Sequence, residues 1–327
     1  MRDNRPIVVP ALVLAGCLTT SVLPPLGALA QTSRITKPAV SESASALQPM
    51  APVARDGYRG QGILRKPPGD GPFPTVVVIH PGLVTWPSEL LRQVSTGAFA
   101  SRFLAAGYVV ATMTYRSRDV DPQSRLSLDD SLAAVEYLQK LPYVNSASLV
   151  VYGCSGGGDL ALAVATEKPV AAIVAEEPAS ILFTGVFNNT SPKSGERYTP
   201  QDSAPLFVDP RQHYTSERQR TTRAKIAKIQ SPTLIVQGDV KTPLAVNDFN
   251  AAVLIPELRS AGKTVEVLTY PGMPHCFAFG PPGATPAMEA SAAKAFQDMD
   301  VFFRRHIATQ PTPVDPMLIT HVPVSAQ

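Results

Sequence analysis

A glycine-rich hexapeptide, Gly-Cys-Ser-Gly-Gly-Gly at residues 153–158, follows the apolar run 148–152 and precedes a helical pattern. It contains Gly-x-Ser-x-Gly in the strand-turn-helix setting that lifts a serine hydroxyl out of a sharp turn. Small residues at both ends of the motif let the strand and the helix approach closely enough to form that turn. We therefore predict that Ser155 is a nucleophile. The amide of Gly156, at a helix N-terminus, is predicted to stabilise developing negative charge.

Two other interpretations of the hexapeptide are weaker. A glycine-rich turn can also bind phosphate, but a P-loop requires Gly-Lys-Ser/Thr and a dinucleotide site requires Gly-x-Gly-x-x-Gly, and the sequence has neither here. The Cys154 thiol is intrinsically the stronger nucleophile at neutral pH. However, it precedes the apex of the turn, where its side chain is expected to point back toward the sheet, so Ser155 keeps the nucleophilic role.

A serine nucleophile needs a general base, and His275 is the best candidate. It lies in a loop between the last strand candidate and the final helical pattern. His213 lies in an insertion, while His306 and His321 lie near or in the C-terminal tail. The order of serine, acid and histidine along the chain is the one that this strand-turn-helix architecture uses.

The carboxylate that orients this base has three candidates. Asp239 follows the strand candidate 233–237 and is the first choice, since an acid there would hold the imidazole in the required tautomer. Asp248, which is equally suited to capping a helix, and Glu177, at the end of the preceding strand candidate, remain alternatives.

The strand candidate 75–80 ends in a tight Pro-Gly-Leu turn. The backbone amides of Gly82 and Leu83 are predicted to complete an oxyanion hole with Gly156. Trp86 and Tyr115 lie on strand-end loops of the same rim. We expect them to line the substrate pocket, although surface packing explains them nearly as well.

These residues must be positioned by a sheet with helices on both faces. Short β-branched runs alternate with amphipathic stretches, and near-continuous apolarity is typical of strands buried on both faces. We predict a three-layer α/β domain with a mostly parallel sheet. The predicted strands are 75–80, 108–114, 148–152, 170–175, 233–237 and 264–270, and the predicted helices are 93–106, 126–141, 158–168, 248–261 and 288–306. A polar stretch, 180–230, is too long for an ordinary loop and is interpreted as a cap insertion.

The first thirty residues predict export. Residues 1–30 combine an early positive charge, an apolar stretch and a small-x-small sequence, as a cleaved signal peptide does. A competing interpretation is a lipobox that would anchor the protein through Cys17. Residues 31–55 are predicted to be a flexible leader and residues 308–327 a flexible tail around the domain 56–307.

Composition excludes several other classes of protein. Of the 327 residues, 29 are basic and 26 acidic, and a net charge of +3 is weak for nucleic-acid binding. With no Cys-x-x-Cys and five scattered histidines, neither a metal site nor another cofactor is expected. No segment after residue 31 is long and apolar enough to span a bilayer.

The sequence resembles the α/β-hydrolase superfamily. The resemblance rests on residues 129–138, on the elbow 153–157, on Gly238-Asp239 and on Pro274-His275. It is strongest to dienelactone-hydrolase-like proteins and to the catalytic domain of prolyl oligopeptidases. It implies an α/β-hydrolase fold over about residues 57–307, most of the mature chain, with Ser155 as nucleophile, His275 as base and Asp239 as acid.

The chain departs from these families in three ways. Family members commonly carry the acid three residues after the glycine, where this chain has Lys241, which puts Asp239 in doubt. Dienelactone hydrolase itself has cysteine at the apex of the elbow. Large prolyl oligopeptidases carry a propeller domain, for which this chain has no room.

The predicted function is that of an exported serine hydrolase that cleaves carboxylic esters through an acyl-enzyme intermediate. A small-molecule ester is the expected partner. The alternatives are a serine peptidase of prolyl-oligopeptidase type and an inactive binding protein that kept the fold, which Lys241 motivates. Cys154 and Cys276 flank the two central catalytic candidates, and a disulfide between them in an oxidising compartment remains open.

Overall fold

A computed structural model describes residues 46–117, 125–186, 209–241, 246–280 and 283–315. Its centre is an eight-stranded sheet in the spatial order β1-β2-β4-β3-β5-β6-β7-β8. The strands are β1 Gln48–Met50, β2 Gly62–Arg65, β3 Phe73–Ile79, β4 Val109–Met113, β5 Val144–Cys154, β6 Ala172–Glu176, β7 Thr233–Gly238 and β8 Val265–Tyr270.

The helices of the described residues alternate with these strands. They are α1 Ser88–Thr96, α2 Ala98–Ala106, α3 Leu126–Gln139, α4 Gly156–Ala165, α5 Ser180–Phe183, α6 Ser216–Lys228, α7 Val246–Phe249, α8 Ile255–Ser260 and α9 Pro286–Arg304. A 3-10 turn covers Pro210–His213, and a π-helical turn, Asn250–Leu254, joins α7 to α8.

Strands β3 to β8 pair in parallel, while β1 and β2 add an antiparallel edge beside β4. The carboxyl ends of parallel strands share one edge of the sheet, and ligands bind there in open α/β folds. Cys154 at the end of β5 pairs with Glu176 at the end of β6. This register places the elbow and the residue after β6 side by side.

The sheet is buried on both faces. Along β3, Val77 and Ile79 belong to one apolar cluster, and Val76 and Val78 belong to the other. Successive strand side chains point to opposite faces, so each buried strand supplies both layers. Helices α3, α4, α6 and α8 contribute to the first cluster, and α2 and α9 contribute to the second. The predicted three-layer α/β-hydrolase fold is therefore confirmed.

The helices differ from the prediction in two places. The stretch predicted as one helix over 93–106 consists of α1 and α2, because Gly97 is extended (φ −67°, ψ 170°) between them. The predicted helix 248–261 is interrupted by the π-helical turn.

Three expectations about irregular segments are corrected. The predicted leader includes β1, where Met50 is buried in the core, so the ordered domain begins before residue 56. The predicted tail packs on the domain at its start, because the amide of Thr309 donates to Ser148 Oγ and that of Val314 donates to the carbonyl of Ala105. Residues 1–45 and 316–327 lie outside the described residues.

The third correction concerns the predicted cap, 180–230. Its described parts pack on the body of the domain. Ile226 of α6 is fully buried in the first apolar cluster, and Ile181 of α5 is buried beside Phe249. The cap prediction is therefore confined to residues 187–208, which lie outside the described residues. Among the helices of the described residues, none is long and apolar enough to cross a bilayer.

Candidate active site

The strand-turn-helix motif forms a sharp elbow with Ser155 at its apex. Ser155 joins β5 to α4 with a φ of 54° and a ψ of −116°, outside the regions that non-glycine residues usually adopt. The Ser155 amide donates to the carbonyl of Glu176 at 2.9 Å, and the Ser155 carbonyl accepts from the amides of Asp159 and Ala179. The neighbouring strand therefore holds the elbow in this strained conformation.

The glycines around Ser155 are required by close backbone approach. A Cβ on Gly153 would lie 2.1 Å from the carbonyl oxygen of Gly157, and one on Gly157 would lie 2.2 Å from that of Ile79. A Cβ on Gly156 would lie 2.1 Å from the carbonyl oxygen of Gly82. The elbow thus packs directly against the strand end and the turn that were expected to form the oxyanion hole.

The carboxylate that contacts His275 belongs to Glu177. Nδ1 of His275 lies 2.8 Å from Oε2 of Glu177, whose side chain is completely buried. Glu177 directly follows β6 and has a φ of 41°. Its Oε1 accepts from the Gly238 amide at 3.0 Å and from Asn247 Nδ2 at 2.7 Å. The other ring nitrogen, Nε2 of His275, is buried and has no hydrogen-bond partner among the described residues.

The first-choice acid, Asp239, is therefore wrong as the partner of His275. Its Oδ1 accepts instead from the Gly272 amide at 2.6 Å and fixes the turn that leads into the His275 loop. Asp248 lies in α7, and none of the described contacts of His275 involves it. Sequence reasoning kept Glu177 only as a third alternative, and it missed Asn247, for which the sequence contains no recognisable signal.

The turn at residues 81–83 is held by an aromatic stack. The ring of His80 lies between those of Trp86 and Tyr115, with centroid separations of 4.2 and 4.3 Å. The Tyr115 hydroxyl donates to the carbonyl of Gly82 at 2.5 Å. Burial lowers the pKa of His80 to about 4, so its imidazole is neutral near pH 7. Within the described residues, the amides of Leu83 and Gly156 donate no hydrogen bond.

Of the two aromatic residues expected to line the substrate pocket, one lines a cavity and the other is buried beneath the 81–83 turn. Tyr115 is only 1% exposed, so it supports the turn from beneath and does not line a pocket. Trp86 is half-buried and lines a cavity of about 860 Å³. Other residues of the same cavity wall are Pro81, Val94, Phe99, Arg102, Cys276 and Phe279.

A disulfide joins Cys154 to Cys276. Cys154 immediately precedes Ser155 and Cys276 immediately follows His275, so the bond ties the elbow to the histidine loop across 122 positions of sequence. The Cα atoms of the two cysteines lie 5.9 Å apart. Their pairing, which the sequence left open, therefore places Ser155 and His275 on the same side of the molecule.

A second buried carboxylate contacts the same loop. Oε1 of Glu176 accepts from the Ala278 amide at 2.8 Å, and its Oε2 is hydrogen-bonded to the Tyr152 hydroxyl. Burial raises the pKa of Glu176 to about 7. Glu176 points to the side of the second apolar cluster, as the alternation along β6 requires.

The described residues contain one group of side chains with metal-ligand chemistry, and it belongs to this site. Ligand atoms of Cys154, His275 and Cys276 lie within 4.8 Å of one another. Because both sulfurs are engaged in the disulfide, neither is available as the thiolate that a metal ion would need. The arrangement therefore does not fit a metal centre.

Comparison with known proteins agrees with this architecture. The sequence matches the prolyl oligopeptidase family over residues 124–310. Carboxyl esterase 2 of Tuber melanosporum has a similar structure (TM-score 0.56, 20% identity, 81% of this chain and 89% of that chain). So does a puromycin-hydrolyzing peptidase of Mycobacterium tuberculosis (TM-score 0.59, 17% identity, 86% of this chain and 42% of that chain).

A curated relative is similar over a shorter stretch. The chain is 32% identical over 107 residues to the quorum-quenching protein AidA of Acinetobacter baumannii strain MDR-ZJ06. The alignment covers 30% of this chain and 34% of AidA, so the chain matches about a third of that relative's length.

The fold and the elbow together are those of the α/β-hydrolase superfamily. Within that superfamily, the chain belongs to the prolyl oligopeptidase family.

Proposed function

We propose that this protein hydrolyses carboxylic esters through an acyl-enzyme intermediate, with Ser155 as nucleophile, His275 as general base and Glu177 as the orienting acid. One observation carries the proposal. Beside the strained elbow, His275 is held through Nδ1 by a buried carboxylate, while its Nε2 is buried and has no hydrogen-bond partner in the part of the chain that the structure describes. A buried imidazole nitrogen without a partner is costly unless a serine hydroxyl or a substrate uses it.

In the first half of the reaction, Ser155 Oγ attacks the ester carbonyl carbon and its proton passes to His275 Nε2. Glu177 accepts the hydrogen bond from Nδ1–H, which fixes the tautomer and stabilises the imidazolium. When the tetrahedral intermediate collapses, the C–O bond to the leaving alcohol breaks and Nε2–H protonates that alcohol. In the second half, His275 takes a proton from water, the resulting hydroxide attacks the acyl-enzyme, and Ser155 leaves protonated.

The oxyanion of both intermediates would be stabilised by the amides of Gly156 and Leu83. Support comes from the contact between Gly156 and the 81–83 turn, and from the lack of another acceptor for these amides among the described residues. The Gly156 amide also lies at the N-terminus of α4, where the helix dipole favours negative charge. The turn is held by the Tyr115 hydroxyl and by the His80 stack.

The cavity supports a substrate with a bulky apolar part. Its wall includes Pro81, which precedes the oxyanion turn, and Cys276, which follows the proposed base. Trp86, Phe99 and Phe279 supply aromatic surface, and cavities of several hundred Å³ accept small organic ligands. We therefore propose esters with an aromatic or branched apolar group as substrates.

Amide hydrolysis is the second candidate. It is supported by membership of the prolyl oligopeptidase family and by the likeness to a puromycin-hydrolyzing peptidase. Esters are preferred because amines are poorer leaving groups and need more assistance. The hypothesis of an inactive binding protein rested on Lys241. That lysine argues against catalysis only if the acid must follow β7, and the proposed acid, Glu177, follows β6.

The test combines covalent labelling with a substrate panel. Purified protein treated with a fluorophosphonate probe should be labelled, and Ser155→Ala should abolish the label while the exposed control Ser216→Ala keeps it. A panel of aryl esters and aminoacyl amides then separates the two hydrolytic activities. Absence of Ser155-dependent labelling on folded protein would favour the binding role, and faster turnover of amides than of esters would favour the peptidase.

Export remains part of the proposal. A cleaved signal peptide at 1–30, or an anchor at Cys17, would deliver the protein to an oxidising compartment. The Cys154–Cys276 disulfide supports this location, since such bonds persist mainly outside the reducing cytosol. Mass measurement of the native protein would distinguish cleavage from lipidation.

A further inference from the structure

We infer that the Cys154–Cys276 disulfide positions His275 for the reaction, and that a dithiol reductant switches the hydrolase off. The inference rests on the proposed function and adds a regulatory property to the same site. Cys154 and Cys276 act through their neighbours and do not touch the substrate carbonyl, so they are positioning residues.

The two ends of the bond differ in rigidity. Cys154 is the last residue of β5, fully buried and paired with Glu176 in the sheet. Cys276 lies in a segment of turns between β8 and α9. The disulfide therefore joins an irregular loop to the buried end of a central strand, one residue away from the proposed nucleophile.

Beside the disulfide, two backbone amides anchor this part of the loop to the end of β6 through glutamate side chains. The Cys276 amide donates to Glu177 Oε2 at 2.7 Å, and the Ala278 amide donates to Glu176 Oε1 at 2.8 Å. Cys276 also has a φ of 60°, a left-handed conformation that is strained for a non-glycine residue. Without the covalent bond, we expect the backbone of Cys276 to move to a less strained conformation.

A change in the Cys276 backbone would move His275 directly. Glu177 Oε2 accepts both from the Cys276 amide and from Nδ1 of His275, the preceding residue. Movement of Cys276 therefore shifts one of the two donors to this oxygen and turns the imidazole. A misplacement of about 1 Å in a catalytic group costs roughly 100-fold in rate.

A reductant can approach from the cavity, because Cys276 forms part of its wall, whereas Cys154 is fully buried. In the exchange, a dithiol thiolate attacks Cys276 Sγ, the S–S bond breaks, and Cys154 leaves as a thiolate that takes up a proton. The second thiol of the reagent then displaces Cys276 and closes a cyclic disulfide. Overall, two electrons and two protons pass from the dithiol to the protein.

The experiment compares ester hydrolysis by the full chain before and after dithiothreitol treatment. Thiol titration should show two new thiols, and circular dichroism should show an unchanged fold. We expect kcat to fall about 10- to 100-fold with KM within about twofold, and oxidised glutathione to restore kcat. In the control variant Cys154→Ala/Cys276→Ala, which keeps small side chains at both positions, kcat should be low from the start and should not change with the reductant. This variant keeps the test valid even if the reduced wild type unfolds.

Three outcomes overturn the inference. Two thiols released with kcat unchanged would show that the bond does not position His275. A loss of kcat that only follows the loss of ellipticity, together with full activity of the double variant, would make the bond purely structural. Failure of the reagent to release thiols would exclude the switch. In contrast, absence of Ser155-dependent turnover by the oxidised chain would overturn the proposed function itself.

Discussion

Glu176 and Glu177 are consecutive in sequence, yet their carboxylates accept hydrogen bonds from two alternate amides of the same loop. Glu177 accepts from Cys276 and Glu176 accepts from Ala278. The pair projects from the end of β6, the strand beside the elbow, so one strand end holds the histidine loop at two points. Only one of the two carboxylates also contacts the imidazole, and this difference separates their expected roles.

Replacement of the orienting acid should remove most of the activity. In Glu177→Gln, the amide can donate to Nδ1 and favour the wrong tautomer of His275, so kcat should fall by about 1,000-fold or more. The matched change Asp239→Asn keeps an oxygen for the Gly272 amide and should leave kcat within about threefold. Steady-state kinetics on an aryl ester distinguish the two variants, and equal losses in both would contradict the assignment of the acid.

The contribution of the oxyanion turn to kcat should depend on Tyr115, which is buried and does not touch the substrate. Tyr115→Phe removes the hydroxyl that donates to the Gly82 carbonyl, a hydrogen bond worth about 1 kcal/mol. If that energy is expressed in the transition state, kcat falls about five- to tenfold while KM stays nearly constant. Kinetics and a melting curve test this expectation. An unchanged kcat with a lowered melting temperature would limit Tyr115 to folding.

The sequence predicts the central sheet well, because long β-branched runs such as 73–79 can be buried only as inner strands. It does not predict β1 and β2, which have three and four residues and contain proline or glycine. Such short edge strands are defined by pairing partners distant in sequence, and no local pattern encodes those partners.

That Ser155 lies at the apex of an elbow and that His275 lies in a loop tied to it was predictable, because each residue lies in a local motif. The carboxylate that contacts His275 was not predictable, because its identity depends on which strand end reaches the imidazole. Glu177 reaches it through a left-handed backbone conformation next to β6, and nothing in the residue types around it encodes that conformation. Tyr115 was misassigned for a related reason, since sequence alone does not tell whether a strand-end aromatic faces the pocket or lies beneath it.

The shape of the cavity should determine which esters react. Val94→Phe adds a ring to the wall and should lower kcat/KM for bulky aromatic esters about tenfold or more, while acetate esters change by less than about twofold. The same substitution at Val301, an exposed position of α9, is the control and should alter neither class. Equal losses for short and bulky esters would indicate that the substrate binds elsewhere.

The buried Glu176 carboxyl should make stability depend on pH in an unusual direction. Its pKa is about 7 in the folded protein against 4.5 for an ordinary glutamate, so the folded chain retains a proton that the unfolded chain has lost. The free energy of unfolding should therefore fall as the pH rises from about 4.5 to about 7, with Glu176 contributing about 3 kcal/mol.

The variant Glu176→Gln measures this contribution. The neutral amide still offers an oxygen to the Ala278 amide and stays hydrogen-bonded to the Tyr152 hydroxyl, but it cannot titrate. Denaturant unfolding of both proteins across this pH range should show wild type losing stability relative to the variant as the pH rises. Other groups titrate in the same window, His80 among them with the opposite sign, since its lowered pKa makes stability rise between about pH 4 and 6.5. The contribution of His80 is common to both proteins and cancels in the difference, so a difference that does not change with pH would show that folding does not raise the pKa of Glu176.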